Sequence, residues 1–171
     1  MTLIKSISGI RGTIGGAIGD NLTPLDAVKF TASYAKWLTG KNPGRKLTVV
    51  LGRDARLSGE MVNDLVEGTL LGCGVNVINV GLCTTPGVEM AVVARGAAGG
   101  IILTASHNPR EYNGYKVYGN DGCQLLDEPS LEIMEIANGL ELFELNFADV
   151  ERVFSCCSCL VFSTIVSLFG A

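Results

Sequence analysis

The sequence predicts an α/β fold, a three-layer α/β/α sandwich on a mixed, mostly parallel sheet. Short runs rich in Val, Ile and Leu alternate along the chain with longer segments whose apolar residues recur at helical spacing. The connections between them are short and rich in Gly, Pro, Asn and Asp, as in layered α/β domains. At 171 residues the chain is long enough to bury a substantial core.

The N-terminal part predicts one strand and one helix. Residues 3–12 are expected to form a short strand that carries Arg11 among glycines. A helix is predicted to begin at Thr23, a capping hydroxyl followed by Pro24, and to close at Gly40. The apolar side chains that define its core-facing stripe are Ala27, Phe30, Tyr34, Trp37 and Leu38.

The middle of the chain predicts strands and helices in alternation. In chain order we expect a strand at 47–51, a helix at 59–73 capped by Ser58, a strand at 75–80, a Thr-Pro turn at 84–87 leading into a helix at 87–95, and a strand at 99–103. Residues 115–118 are expected to add an antiparallel hairpin strand, and a helix at 129–138 closes the recognisable part.

The most informative stretch, TASHNP at 104–109, follows the last of these parallel strands. Chemistry in open α/β sheets lies at the carboxyl ends of strands, so Ser106 is expected there, on a loop stiffened by its proline and braced by Asn108. A hydroxyl, the imidazole of His107 and the ammonium of Lys116 within one segment suit the handling of phosphate. The same residues also suit an ordinary surface turn.

Arginines mark two further segments. Arg11 lies between glycines that let a ligand approach closely, and a guanidinium donates two parallel hydrogen bonds to phosphate. Taken alone, this residue equally fits a solvated arginine beside a glycine turn. Arg53, Asp54 and Arg56 follow the strand at 47–51 and predict a salt-bridged loop in which the carboxylate orients an arginine.

The segment 104–109, followed by Tyr-Asn-Gly-x-Lys at 112–116, resembles the phosphoserine loop of the α-D-phosphohexomutases. That family includes phosphoglucomutases, phosphomannomutases and phosphoglucosamine mutases. Gly-Ile-Arg-Gly at 9–12 and Gly-Arg-Asp-x-Arg-x-Ser-Gly at 52–59 resemble two more of its motifs, although the residues before the first depart from the commoner Thr-Asp pattern. The resemblance covers residues 1–140 and implies the first of four domains.

The resemblance implies that Ser106 carries a phosphate and exchanges it with a hexose or hexosamine phosphate. The exchange would pass through a bisphosphate of the glucose 1,6-bisphosphate type, moving phosphate between O1 and O6. By position, Arg11 and Lys116 would neutralise the transferring group, and Asn108 would contact phosphate. His107 or Lys116 would handle the proton. The implied catalytic residues are therefore Ser106, His107, Lys116 and Arg11.

The same resemblance implies Mg²⁺, bound by the phosphate on Ser106 and by an Asp-rich loop of a second domain. A loop of the Asp-Gly-Asp-Gly-Asp type does not occur in this sequence. We therefore expect these residues to form the phosphoserine half of a mutase site, with little or no turnover alone, and to need further domains or self-association. Arg53, Asp54 and Arg56 are expected to support the wall of the site.

Composition and missing motifs disfavour other classes. The net charge is −4 and no Lys/Arg cluster gathers on one segment, which argues against a nucleic-acid surface. Neither the P-loop nor the G-x-G-x-x-G pattern occurs. A serine hydrolase is disfavoured because Ser106 and His107 are adjacent and the G-x-S-x-G elbow is missing. A non-catalytic α/β module that binds sugar phosphate or a partner chain stays open. No secretory pattern opens the chain, so the cytoplasm is expected.

The cysteines and the tail are the last features of the sequence. Cys73, Cys83 and Cys123 lie among apolar or Gly-rich residues and are predicted to be small core side chains. Residues 141–171 are predicted to be a tail outside the family match, and its uncharged part, 153–171, is open to three interpretations. These are an element packed on the domain, a non-native terminus from a truncated or shifted reading frame, and, least favoured, a membrane anchor. The tail also contains Cys156, Cys157 and Cys159. Without a second cysteine pair or a histidine, they give little support for a zinc site.

Overall fold

A computed structural model describes residues 2–6 and 9–140 of the chain. The elements are β1 (Ile4–Ser6), β2 (Gly9–Thr13), α1 (Pro24–Lys41), β3 (Thr48–Arg53), α2 (Gly59–Gly72), β4 (Asn76–Leu82), α3 (Thr85–Ala94), β5 (Gly99–Leu103), β6 (Tyr112–Tyr118) and α4 (Asp127–Gly139). The predictions for the tail, 141–171, fall outside the described residues. Within the described ranges, no helix has both the length and the apolar character needed to cross a membrane.

The strands form one mixed sheet in the order β1-β2-β6-β5-β3-β4. β3 pairs in parallel with β4 and β5, whereas the β5–β6, β6–β2 and β2–β1 pairs are antiparallel. It follows that β2, β3, β4 and β5 run in one direction, which confirms a mixed and mostly parallel sheet by strand direction. Antiparallel strand pairs nevertheless outnumber parallel pairs, because β6 lies between β5 and β2 and is antiparallel to both.

Helices cover both faces of the sheet and confirm the three layers. On one face, α1, α2 and α4 enclose a core that includes Leu51, Leu103 and Tyr115. On the other face α3 is the one described helix, and it packs over Val50 and Ile102. Successive residues of a strand point to opposite faces, so β3 and β5 are covered on both sides and read as continuous apolar runs.

Most predicted elements have bounds that differ by one or two residues, and three differ further. The strand expected at 3–12 is a hairpin of β1 and β2, paired with Ile4 opposite Arg11. The strand expected at 115–118 begins at Tyr112 and lies in the interior of the sheet. The turn expected at 84–87 is instead the start of α3, because Thr84 accepts a hydrogen bond from the Gly87 amide at 3.2 Å and caps the helix.

The start of α1 agrees with the prediction, and its end differs. Thr23 and Asp26 form a reciprocal capping box with Pro24 in the first turn. The helix continues one residue beyond Gly40, and the Asn42 amide donates to the Thr39 carbonyl at 3.2 Å.

The prediction that three cysteines are core side chains is wrong for Cys123. This residue is exposed in the turn after β6, where its amide donates to the Asp121 carboxylate at 2.9 Å. The same carboxylate raises the pKa of its thiol. Cys73 and Cys83 are half-buried against the two cores, and burial raises the pKa of Cys73 to about 11.

Candidate active site

Two loops emerge side by side at one edge of the sheet. β3 and β5 are parallel neighbours, so the loops after them, 54–58 and 104–111, leave their carboxyl ends together. The Asp54 amide donates to the Leu103 carbonyl at 2.9 Å, and the Thr104 amide to the Gly114 carbonyl at 2.8 Å. Backbone hydrogen bonds therefore join the first loop to β5 and the second loop to β6.

Ser106 lies on the second loop with its side chain exposed. Its φ of 55° is in the left-handed region, which non-glycine residues rarely adopt and which recurs at functional sites. Its amide donates to Thr104 Oγ1 at 3.0 Å. Its hydroxyl lies 3.5 Å from His107 Nδ1, at the outer limit of a hydrogen bond.

Asn108 braces this loop. Both its backbone amide, at 3.1 Å, and its side-chain Nδ2, at 2.9 Å, donate to the Ala105 carbonyl. This is the local bracing that the sequence predicts. The side-chain Nδ2 of Asn108 is thus already used within the loop. The contact between Asn108 and phosphate stays a prediction.

The guanidinium of Arg56 connects the two loops. Its Nη2 donates to the carbonyls of Ser106 at 2.9 Å and Asn108 at 2.8 Å. Its Nη1 donates to the carbonyls of Pro109 at 2.7 Å and Tyr112 at 2.8 Å. The side chain is only 12% exposed, so these charge-assisted bonds are shielded from water.

Asp54 orients this arginine, as the sequence predicts for the loop. Its carboxylate accepts from the Arg56 amide at 3.0 Å and from Arg56 Nε at 3.3 Å. Arg53 has a different position: its Nη1 donates to the Asp54 carbonyl at 3.4 Å and lies beside Gly59 at the start of α2. Arg53 therefore supports the first loop, whereas Arg56 reaches the second.

Arg11 and Lys116 line the cleft beside Ser106. They stand on neighbouring strands, with Arg11 opposite Gly114 in the β2–β6 register. Within residues 2–6 and 9–140, the buried Nε of Arg11 has no hydrogen-bond acceptor. It is one of five buried side-chain polar atoms without a partner in this part of the chain, and the only one of the five that belongs to a charged side chain.

A contact that sequence reasoning missed ties β6 to the first loop. Asn113 donates from Nδ2 to Ser58 Oγ at 3.0 Å and accepts from the Gly114 amide at 2.8 Å. Ser58 precedes α2 as predicted, but its hydroxyl makes no capping bond to that helix. The prediction of a side-chain cap is wrong because the Ser58 backbone has helical angles (φ −83°, ψ −1°) and not the extended angles of a capping residue. The only signal in the sequence is the Asn of the Tyr-Asn-Gly-x-Lys motif.

The described residues do not fit a magnesium site by themselves. Among them, no three His, Cys, Asp or Glu side chains come together as a candidate metal centre. The Asp54 carboxylate on the first loop is engaged by Arg56. The described residues therefore do not provide a carboxylate set for a metal ion.

Comparison with protein families gives one match that covers most of the chain. The family described as phosphoglucomutase/phosphomannomutase, alpha/beta/alpha domain I, matches residues 3–143. A phosphoglucosamine mutase of Levilactobacillus brevis is 48% identical over 126 residues, which are 71% of this chain and 28% of that protein. One of Lactobacillus acidophilus is 41% identical over 133 residues, 76% of this chain and 29% of that protein. The chain thus spans less than a third of these curated relatives.

Solved structures agree with the fold. A phosphoglucomutase/phosphomannomutase family protein of Burkholderia thailandensis has a TM-score of 0.66 at 26% identity, over 79% of this chain and 30% of that one. A Thermus thermophilus protein assigned to the phosphomannomutases has a TM-score of 0.71 at 28% identity, over 80% of this chain and 30% of that one.

Proposed function

This chain belongs to the phosphoglucomutase/phosphomannomutase family through its α/β/α domain I, and from that premise we propose that it bears the phosphoserine of a hexose-phosphate mutase. Ser106 is the proposed phosphate carrier. The observation that carries this assignment is its position: an exposed hydroxyl on a left-handed residue, in a cleft shared with Arg11 and Lys116. Relatives named phosphoglucosamine mutases support a hexosamine phosphate as the substrate class, with hexose phosphates as near alternatives.

The proposed chemistry is a phosphoryl exchange. The Ser106 oxygen forms a bond to phosphorus of a sugar bisphosphate while the bond between that phosphorus and the sugar oxygen breaks. The hydroxyl proton passes to His107 Nδ1 or to the departing sugar oxygen, which needs one proton to become a hydroxyl. In the opposite direction, phosphorylated Ser106 transfers its phosphoryl group to the free hydroxyl of a hexose monophosphate and a bisphosphate forms. When that bisphosphate reorients and returns its other phosphoryl group to Ser106, O1 and O6 phosphates interconvert.

Positive charge at the cleft supports this exchange. Stabilising charge on the transferring group is the main catalytic task in phosphoryl transfer. Arg11 and Lys116 line the cleft beside Ser106, so their positive charges lie where the transferring group would be. The carboxylate ligands for Mg²⁺ and the sugar contacts are proposed to come from outside the described residues, which supply the phosphate acceptor Ser106 and the cationic side chains beside it. The cytoplasm stays the predicted compartment.

Intact-mass measurement tests this assignment. The chain is incubated with glucose 1,6-bisphosphate and Mg²⁺, and we expect the gain of one phosphoryl group, mapped to Ser106. Ser106→Ala should show no gain. Thr39→Ala, which removes an exposed hydroxyl on α1, should behave as the wild type.

Two outcomes would contradict it. An unmodified Ser106 in the wild type would favour the non-catalytic sugar-phosphate or protein-binding module. Full interconversion of glucosamine 1-phosphate and glucosamine 6-phosphate by this chain alone would overturn the expectation of little or no turnover without further domains.

A further inference from the structure

The hydrogen-bonding capacity of Arg56 is fully used within the protein. An arginine side chain has five N–H groups. Nε donates to Asp54 at 3.3 Å, and the two Nη atoms donate to four backbone carbonyls at 2.7, 2.8, 2.9 and 2.8 Å. With one acceptor for each N–H, no donor is left for a substrate phosphate.

Arg11 shows the opposite condition. Its Nε is buried and lacks an acceptor in the described part of the chain, and its side chain lines the cleft with Ser106. The two arginines come from two of the site motifs and carry the same charge. They differ in hydrogen bonding, because Arg11 has a donor without an acceptor, whereas every donor of Arg56 is already bonded.

The acceptors of Arg56 show what it holds. They are the carbonyls of Ser106, Asn108, Pro109 and Tyr112, which span the whole loop from the nucleophile position to the start of β6. Four carbonyl dipoles directed at one point repel each other unless a cation lies between them. The strained φ of 55° at Ser106 also persists only where its surroundings hold it.

We propose that Arg56 is a positioning residue that fixes the Ser106 hydroxyl for phosphoryl transfer without touching the phosphate. This rests on the proposed function of Ser106. Lysine cannot replace it, because three donors on one nitrogen cannot reach four carbonyls and a carboxylate arranged around a planar fork. Asp54 assists by holding both the backbone amide and Nε of Arg56.

The test compares Arg56→Lys and Arg56→Ala with the wild type in two measurements. The first is phosphorylation of Ser106 by glucose 1,6-bisphosphate, followed at several bisphosphate concentrations. We expect the maximal rate to fall by about 100-fold, the scale of loss from a small misplacement of a reacting group. The concentration giving half the maximal rate should stay within about threefold, since no phosphate contact is lost.

The second measurement is amide hydrogen exchange, which needs no catalysis. Peptides covering 104–112 should exchange faster in both variants, whereas peptides covering β3 should not change. Arg95→Lys and Arg95→Ala, at an exposed arginine after α3, are the matched controls and should leave both measurements unchanged. Asp54→Asn should give a smaller loss of rate, and it replaces Arg56→Ala if that variant does not fold.

The outcomes separate the two assignments. If the wild type accepts no phosphoryl group, the function of Ser106 is wrong, and hydrogen exchange still decides whether Arg56 orders the loop. Wild-type rate and exchange in Arg56→Lys would overturn the positioning role. A rise in the half-maximal bisphosphate concentration that accounts for the loss of rate would also overturn it, because Arg56 would then be a phosphate-binding residue. Partial recovery of Arg56→Ala by added guanidinium ion would support it.

Discussion

At the scale of single residues, one glycine determines how closely β2 approaches β6. Gly114 lies opposite Arg11, and a Cβ at this position would overlap the carbonyl oxygen of Ile10. The obstruction is backbone and not a flexible side chain, so it cannot move aside without shifting a strand. The missing side chain therefore allows Arg11 to stand beside the Ser106 cleft.

Gly114→Ala should accordingly destabilise the fold. We expect a fall of about 3 kcal/mol in the free energy of unfolding, in the range of steric insertions into packed regions. Urea denaturation followed by the fluorescence of Trp37, the single tryptophan of the chain, measures it.

Gly40→Ala is its matched control. This glycine lies in α1 with no neighbouring atom near its Cβ position, so alanine should raise stability by about 0.5–1 kcal/mol. Equal changes in the free energy of unfolding for Gly114→Ala and Gly40→Ala would show that no steric limit sets the distance between β2 and β6.

The sequence locates residues of the site better than it defines their partners. Ser106, Arg11 and Lys116 lie in short contiguous motifs, so a resemblance finds them without a structure. The partners of Arg56 are backbone carbonyls some 50 residues away. Any residue type supplies a carbonyl, so no pattern in the sequence reports them. The predicted helix cap at Ser58 is wrong because its backbone has helical angles, and its hydroxyl accepts from Asn113, a residue distant in the sequence.

At the scale of elements, a carboxylate joins α4 to α1. Glu132 accepts hydrogen bonds from Lys41 Nζ and from the indole nitrogen of Trp37. These two bonds, first that of Lys41 and then that of Trp37, hold the pKa of Glu132 below its ordinary value. The contact therefore depends on the carboxylate being ionised.

Glu132→Gln should reduce stability near neutral pH and lose that effect in acid. A carboxyl whose pKa is lowered by folding contributes stability above the ordinary glutamate pKa of about 4.3, and the contribution disappears as pH falls through the lower folded value. The difference in unfolding midpoint between wild type and variant should thus narrow from pH 7 to about pH 3. Because the pair is solvent-accessible, we expect a small effect.

Glu135→Gln, at an exposed glutamate on the same helix, is the control for loss of a charge alone. A constant difference between wild type and Glu132→Gln at all pH values would contradict the ionised contact.

Periodicity predicts elements well where their own residues carry the pattern. β5 is predicted at 99–103 and has those bounds, since all five of its residues are buried. β6 is predicted to be shorter than it is, because Tyr-Asn-Gly at its start reads as turn chemistry. Its pairing with β2 and β5 extends it, and such long-range pairing leaves no local signal.

At the scale of the whole molecule, the covering of the sheet is uneven. β5 is buried throughout and has strands on both sides, whereas β1 is an edge strand with two of its three residues exposed. Resistance to local opening follows burial and the number of paired neighbours.

Native-state hydrogen exchange should therefore give a gradient across the sheet. We expect amides of β5 and β3 to exchange only through global unfolding, and those of Ile4–Ser6 to exchange at least about 100-fold faster. Exchange is measured at increasing low concentrations of denaturant. Equal protection of β1 and β5 would show that the hairpin opens only with the entire domain.

The place of β6 has a consequence for biosynthesis. Among the described strands, β6 alone joins the β1–β2 hairpin to the rest of the sheet, and it follows that hairpin by about a hundred residues. A ribosome adding 5–20 residues each second needs roughly 5–20 s to make that length. During this interval the nascent hairpin has an open edge, exposed to chaperones and to neighbouring chains, until its proper neighbour leaves the exit tunnel.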